Sequence, residues 1–113
     1  MQRAGHLTKL FLALIKTVML IQHTETGTKG VFFIQGEDDS MLAELLYMKK
    51  QPSTMIIEHT EVSDKLKGQN VGYQLVNAAV EYARLHGLKI IPMCPFAKAM
   101  INKKPEFHDV LMQ

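Results

Sequence analysis

Cysteine is nearly missing from this sequence: Cys94 is the single one among 113 residues. One cysteine cannot close an internal disulfide, and it cannot by itself build a structural zinc site. That usage fits a reducing compartment, and the chain is read as cytoplasmic. An excess of one charge is missing too. The net charge is +2, the basic residues are scattered, and no arginine-rich run or aromatic platform accompanies them, so nucleic acid is not an expected partner. Long hydrophobic runs are absent as well. Near the N-terminus the apolar stretch Leu10 to Ile15 is cut by Lys16, far short of the roughly 20 apolar residues that a membrane span needs. Arg3 and Lys9 precede that stretch as in a secretion signal, but no small-x-small cleavage pattern follows, and neither secretion nor a membrane is expected. His6, His23, His86 and His108 have no metal-ligand spacing and read as surface histidines. There is no repeat, linker or low-complexity segment.

What is present is ordinary globular material. Apolar residues make up 47% and charged residues 21%, enough for one domain around one core. Residues 1–18 stand apart. Leu7, Leu10, Phe11, Leu14 and Val18 fall at helical spacing, so this segment reads as an added amphipathic helix or an upstream extension. The domain pattern occupies residues 19–113.

From Met19 onward the pattern is that of strands. Met19 to Thr24 and Val31 to Ile34 are short strand candidates with turn residues between and after them. Met41 to Met48 is ambiguous, because leucine, alanine and glutamate favour helix; its place between two strand signals makes it a strand. Thr54 to Val62 is the strongest strand in the chain. Hairpin-like connections join these segments into an antiparallel meander. The period then changes. Val71, Leu75, Ala78, Ala79, Tyr82 and Ala83 share one helical face, predicting a helix from Asn70 to about His86 that Gly87 ends. Leu88 to Ile91 follows as a short buried strand, and a strand-helix-strand unit of this kind is normally parallel. Pro95 opens a last helix to about Lys103, and Pro105 to Asp109 closes the chain as a turn or short helix. The fold class is α+β: a mixed, mostly antiparallel sheet of about five strands packed by helices.

The informative segment is the junction from Glu58 to Gly72. A strand ends, a polar turn containing Gly68 follows, and a helix starts near Asn70. Such a junction aims unpaired N–H groups and the positive end of a helix dipole at one place, which suits a pyrophosphate. Lys65 and Lys67 add charge. Taken alone, the same glycine equally makes a plain strand-to-helix turn.

The run Lys67-Gly68-Gln69-Asn70-Val71-Gly72 resembles the R/Q-x-x-G-x-G/A motif of the GNAT acyltransferase superfamily. Lysine stands at the head, and asparagine replaces the middle glycine. Glu58-His59-Thr60 and Ile90-Ile91-Pro92-Met93-Cys94-Pro95-Phe96 are similar to a branch of very small members, over about Met19 to Leu111. The resemblance implies acetyl-CoA as co-substrate, held by Val62, Lys67, Gly68, Gln69, Asn70, Val71, Gly72 and Phe96, with an amine as acceptor. It implies that the pantetheine arm lies in a wedge between two splayed strands, one ending at Val62 and the other near Pro92. Strand alternation puts Ile57, His59 and Glu61 on one face and Ile56, Glu58 and Thr60 on the other. His59 is of the residue type that most often serves as a general base and is otherwise a hydrogen-bonded strand histidine. Glu58 is a weaker candidate for the same work. Cys94, just before Pro95, is expected at a helix N-cap, where the dipole favours thiolate; a buried packing role is the alternative. It would serve as acid for the leaving thiolate or as transient acyl carrier. The competing functions are a non-catalytic acyl-CoA-binding module and a thiol or redox protein based on Cys94.

Overall fold

The computed structural model describes residues 20–112. The amphipathic pattern from Leu7 to Val18 lies outside the described residues.

Four strands form the antiparallel meander: β1 (Gln22–Thr26), β2 (Lys29–Gln35), β3 (Met41–Lys50) and β4 (Thr54–Val62). A 3-10 turn over Asp64–Leu66 leads into helix α1 (Val71–His86), which returns the chain to β5 (Lys89–Pro92). That last strand pairs with β4 in parallel, giving a five-stranded sheet in the order β1-β2-β3-β4-β5. Helix α2 (Pro95–Lys103) and a 3-10 turn (Pro105–Val110) complete the domain. The expected α+β architecture is the one found. The first strand begins at Gln22, and the final segment does more than turn. Leu111 bridges to Ile90 in parallel, and Met112 N–H donates to Ile90 O at 2.9 Å, partly covering the outer edge of β5.

The ambiguous third segment is a strand because its burial has a period of two. Ala43, Leu45 and Tyr47 are buried, while Leu42, Glu44 and Leu46 are half-buried on the other face. Against the first set lies α1, whose stripe is wider than expected: Val76 and Val80 are buried with Leu75 and Ala79, and Tyr82 is half-buried. Side chains of this kind each contribute about 1.5–3 kcal/mol when fully buried. Helix α1 ends where Gly87 adopts φ 66°. Among the described residues no helix is long and apolar enough to cross a membrane.

Strand β1 is exposed throughout and is tied down by polar contacts. Glu25 Oε1 accepts from the hydroxyls of Tyr47 (2.5 Å) and Tyr82, and Lys49 Nζ donates to Glu25 Oε2 at 2.9 Å. His23 lies 2.7 Å from the Tyr47 hydroxyl and stacks on Phe32 with ring centroids 4.2 Å apart. Tyr82 therefore joins α1 to the sheet edge by a hydrogen bond as well as by packing. The Tyr47, Tyr82 and Lys49 donors hold the Glu25 carboxyl down at about 2.

One irregularity changes the faces of β4. Tyr47 pairs with Ile57 but Leu46 pairs with His59, so Glu58 is an extra residue in a β-bulge. Directly opposed residues share a face. Thr60, opposite Leu45, and Val62, opposite Ala43, therefore lie on the helix-covered face with Ile57 and Met55. His59 and Glu61, opposite Leu46 and Glu44, lie on the other face. The expected alternation grouped Ile57 with His59 and Glu61, and Thr60 with Ile56. The bulge overturns that grouping, because one inserted residue flips every side chain after it.

Candidate functional site

Strands β4 and β5 pair at four positions, Thr54 to Ile57 against Lys89 to Pro92, and then separate. At the fork the Ile57 carbonyl accepts from Met93 N–H at 3.0 Å and Cys94 N–H at 3.1 Å. Beyond it, β4 continues to Val62 with no strand on that edge among the described residues, while the chain after Cys94 turns into α2. An open edge of this kind can accept an extended ligand as an added strand.

Cys94 sits at the apex. It is the N-cap of α2, with φ −75° and ψ 128°, and Pro95 supplies the first helical residue with its preset φ. The residue is 6% exposed and its thiol is free. Burial pushes the thiol up. The Ala97 N–H, the Thr60 hydroxyl, the Phe96 N–H and the Thr60 backbone together outweigh it and hold the thiol below its usual value. These groups all stabilise a negative sulfur, which is the form that reacts as a nucleophile.

A second feature lies at the start of α1. After the 3-10 turn the chain passes through Gly68 at φ 82° and Asn70 at φ 60°. Gly68 needs its freedom there, since side chains rarely adopt that conformation; the space around it is open. Leu66, Lys67 and Gln69 donate within the turn, and Gln74 N–H donates to Asn70 O at 3.1 Å. The N–H groups of Gly68, Asn70, Val71, Gly72 and Tyr73 have no acceptor among the described residues. Asn70 makes no side-chain cap, and the first turn carries no acidic residue. The positive end of the helix is thus uncompensated, with Lys67 exposed beside it. Gln69 spends its carbonyl on the Gln74 amide at 3.2 Å, and the Val71 side chain belongs to the core at 1% exposure.

Gly72 has a role that the motif did not suggest. A Cβ at this position would meet the Phe96 ring, with two of its carbons at 2.9 and 3.3 Å and a third closer still. Phe96, 41% exposed, therefore lies across the first turn of α1 and closes α1 against α2 beside the fork. Gly72 and Phe96 are brought together in this way, and Phe96 and Thr60 both act on the Cys94 sulfur.

His59 is not among them. Its ring nitrogen lies 3.2 Å from Glu61 Oε1 on the other face of β4, with side-chain exposures of 51% and 72%. Glu44 faces Glu61 across the strands, and the donor atoms of Glu44, His59 and Glu61 all lie within 4.8 Å of one another. Three such donors could meet one cation, but two of them, His59 and Glu61, are exposed, and exposed acidic groups commonly gather without one. Glu58, in the bulge, is exposed. The residue that sequence reasoning missed is Thr60. It was assigned to the wrong face, and the only signal that could have corrected this is the bulge, which has no sequence signature here.

With this geometry in view, the chain can be set beside known proteins. A family model described as GCN5-related N-acetyl-transferase matches residues 31–110. No curated protein matches. Among solved structures, the chain is 40% identical to a "GCN5-like putative N-acetyltransferase" from Staphylococcus aureus, with a TM-score of 0.65 over 80% of this chain and 87% of that one. More distant likenesses concern the fold alone. An IAA acetyltransferase from Bacillus cereus has 21% identity and a TM-score of 0.53, over 67% of this chain and 53% of its own. A ribosomal-protein-alanine N-acetyltransferase from Brucella melitensis has 7% identity and a TM-score of 0.54, over 78% and 64%. The chain spans less than two thirds of the length of those two enzymes. It belongs to the GCN5-related N-acetyl-transferase family.

Proposed function

We propose that this chain is an acyl-CoA-dependent acyltransferase that moves an acetyl group from acetyl-CoA to an amine. The observation that carries the reading is the fork between β4 and β5, with a depressed-pKa thiol, Cys94, at its apex. The unbonded N–H groups from Gly68 to Tyr73, with Lys67 beside them, suit the pyrophosphate. The open edge of β4 as far as Val62 suits the amide groups of pantetheine, and the Phe96 ring offers an apolar wall at the mouth. Donor and acceptor held together in this way lose most of the entropic barrier to reaction.

The lowered thiol pKa favours the acyl-carrier role over the acid role, since an acid must hold its proton and a nucleophile must lose it. In the carrier route the Cys94 thiolate attacks the thioester carbonyl. The bond to the CoA sulfur breaks, CoA leaves as thiolate and takes up a proton, and acetyl-Cys94 remains. An amine then attacks that carbonyl and regenerates the Cys94 sulfur. His59 is the candidate to take the amine's proton; it would act from the other face of β4, and Glu58 at the bulge is its understudy. A non-catalytic acyl-CoA-binding module is the second reading, favoured by the 6% exposure of Cys94. Acetyl-CoA should raise the melting temperature under either reading. One acetyl mass on Cys94, passed on to an added amine, supports transfer. Binding without adduct or turnover supports the module, and no thermal shift at millimolar acetyl-CoA refutes both.

A further inference from the structure

The bulge at Glu58 turns Thr60 onto the helix-covered face of β4. Without the extra residue, Thr60 would lie on the opposite face from Ile57. With it, Thr60 joins Ile57 on the helix-covered face, where its hydroxyl acts on the Cys94 sulfur. Bulges often re-aim one side chain in this manner, at the cost of a disrupted ladder.

The hydroxyl's position is costly in another respect. Thr60 Oγ1 is buried and has no hydrogen-bond partner, the single side-chain atom in that state among the described residues. Most buried hydroxyls are satisfied, and an exception calls for a cause. The acceptor it acts on is Cys94 Sγ; the two stand outside hydrogen-bond geometry here, and a neutral thiol is a weak acceptor. A thiolate is a strong one. With no other partner to give up, the O–H is free to turn to the sulfur once it ionises, beside the Ala97 and Phe96 N–H groups that also act on it.

We infer that Thr60 is a positioning residue that holds a spare hydroxyl for the Cys94 thiolate, aimed there by the bulge at Glu58. The inference deepens the acyl-carrier reading and rests on it for its use, though not for its test. None of the largest influences on the sulfur is a charged side chain. On the elements around it, Glu58, His59, Glu61, Lys89 and Lys98 are exposed. Tyr73 on α1 stacks on Phe107 at 5.4 Å, and the Lys104 ammonium lies over the Tyr73 ring.

The test is a titration of the free protein. Cys94 is the only cysteine, so ultraviolet thiolate absorbance, with Cys94→Ala as the blank, reports this sulfur alone. Thr60→Val should raise the midpoint by about one to two pH units, the size expected of one hydrogen bond to a charged acceptor. Thr60→Ser, which keeps the hydroxyl, should titrate like the parent. Thr60→Ala stands in if the valine variant fails to fold. Parental midpoints in both hydroxyl-free variants overturn the inference, as does a serine variant shifted as far as valine. No acetyl-CoA is used. A shifted midpoint in a protein that never transfers acetyl removes the acyltransferase reading and keeps this one; transfer with unshifted midpoints does the reverse.

Discussion

Replacing Gly72 with alanine sets two effects of opposite sign against each other. Alanine in place of glycine favours an exposed helix by up to about 1 kcal/mol, and an isolated α1 would be strengthened. In this fold the new methyl meets the Phe96 ring at distances no relaxed contact has. Phe96 is 41% exposed, so it covers roughly 100 Å² of surface, and at about 25 cal/mol per Å² its full displacement would cost about 2.5 kcal/mol. The ring lies on the surface and can shift rather than leave, which removes part of that cost. The net expectation is a loss of about 1–2 kcal/mol, read as a drop of roughly 5–10 °C in melting temperature or a lower urea midpoint at unchanged slope. The decisive measurement is the double-mutant cycle. In a Phe96→Ala background the obstacle is gone, and Gly72→Ala should then stabilise by up to about 1 kcal/mol. A sign reversal between backgrounds identifies the ring as the reason for glycine. If Gly72→Ala stabilises the parent as well, the ring gives way freely and the reasoning is wrong.

Other outcomes can be stated briefly. Glu25 is held at about 2 against an ordinary 4.5 by Tyr47, Tyr82 and Lys49; a depressed carboxyl contributes stability that is complete above about 4.5 and is lost as pH falls toward 2. Chemical denaturation across that window should therefore show a steeper acid loss in the parent than in Glu25→Gln, and parallel curves would refute this. Gly68→Val forces a β-branched residue to φ 82°, at a cost of about 1–3 kcal/mol; the protein should still fold, yet acetyl-CoA should no longer raise its melting temperature. Cys94→Ser should lose the acetyl adduct as fully as Cys94→Ala, since a hydroxyl is not ionised near neutral pH, and an acetylated serine variant would count against the thiolate. A chain beginning at Met19 should fold and respond to acetyl-CoA, and insolubility would mean that Phe11 and Leu14 belong to the core.

Most of the fold was legible because its signals are local. The 3.6-residue period placed α1 within a residue at its start, with Asn70 as its left-handed N-cap and Gly87 as its end. Pro95 correctly opened α2 with Cys94 ahead of it. The Glu25 network was not legible, because its partners stand 22 to 57 residues apart and only the closed sheet brings them together. Tyr82 looked like a packing residue for the same reason: its ring is on the apolar stripe, and its hydroxyl reaches past the stripe to the edge strand.

The candidate site was legible in its parts and not in its pairing. The strand-turn-helix from Val62 to Gly72 could be read from Gly68 and the change of period, whereas the fork came only with the resemblance to the GNAT superfamily. Which β4 side chain would meet Cys94 could not be read. Alternation assumes that each residue of β4 faces one residue of β3, and Glu58 breaks that count. Nothing in Ile57-Glu58-His59 marks a bulge; there is no glycine, and the charged residue at 58 would be equally at home on a regular exposed face. The error therefore fell on the two residues just past it. His59, the more reactive by composition, went out to Glu61 and Glu44, and the plainer Thr60 was turned in to the helix-covered face. The same single insertion thus divides the candidate chemistry between the faces of β4, with thiol and hydroxyl on one side and imidazole and carboxylates on the other. An acceptor amine that uses both must reach through the gap between β4 and β5, and that gap begins one residue before the bulge, at Ile57.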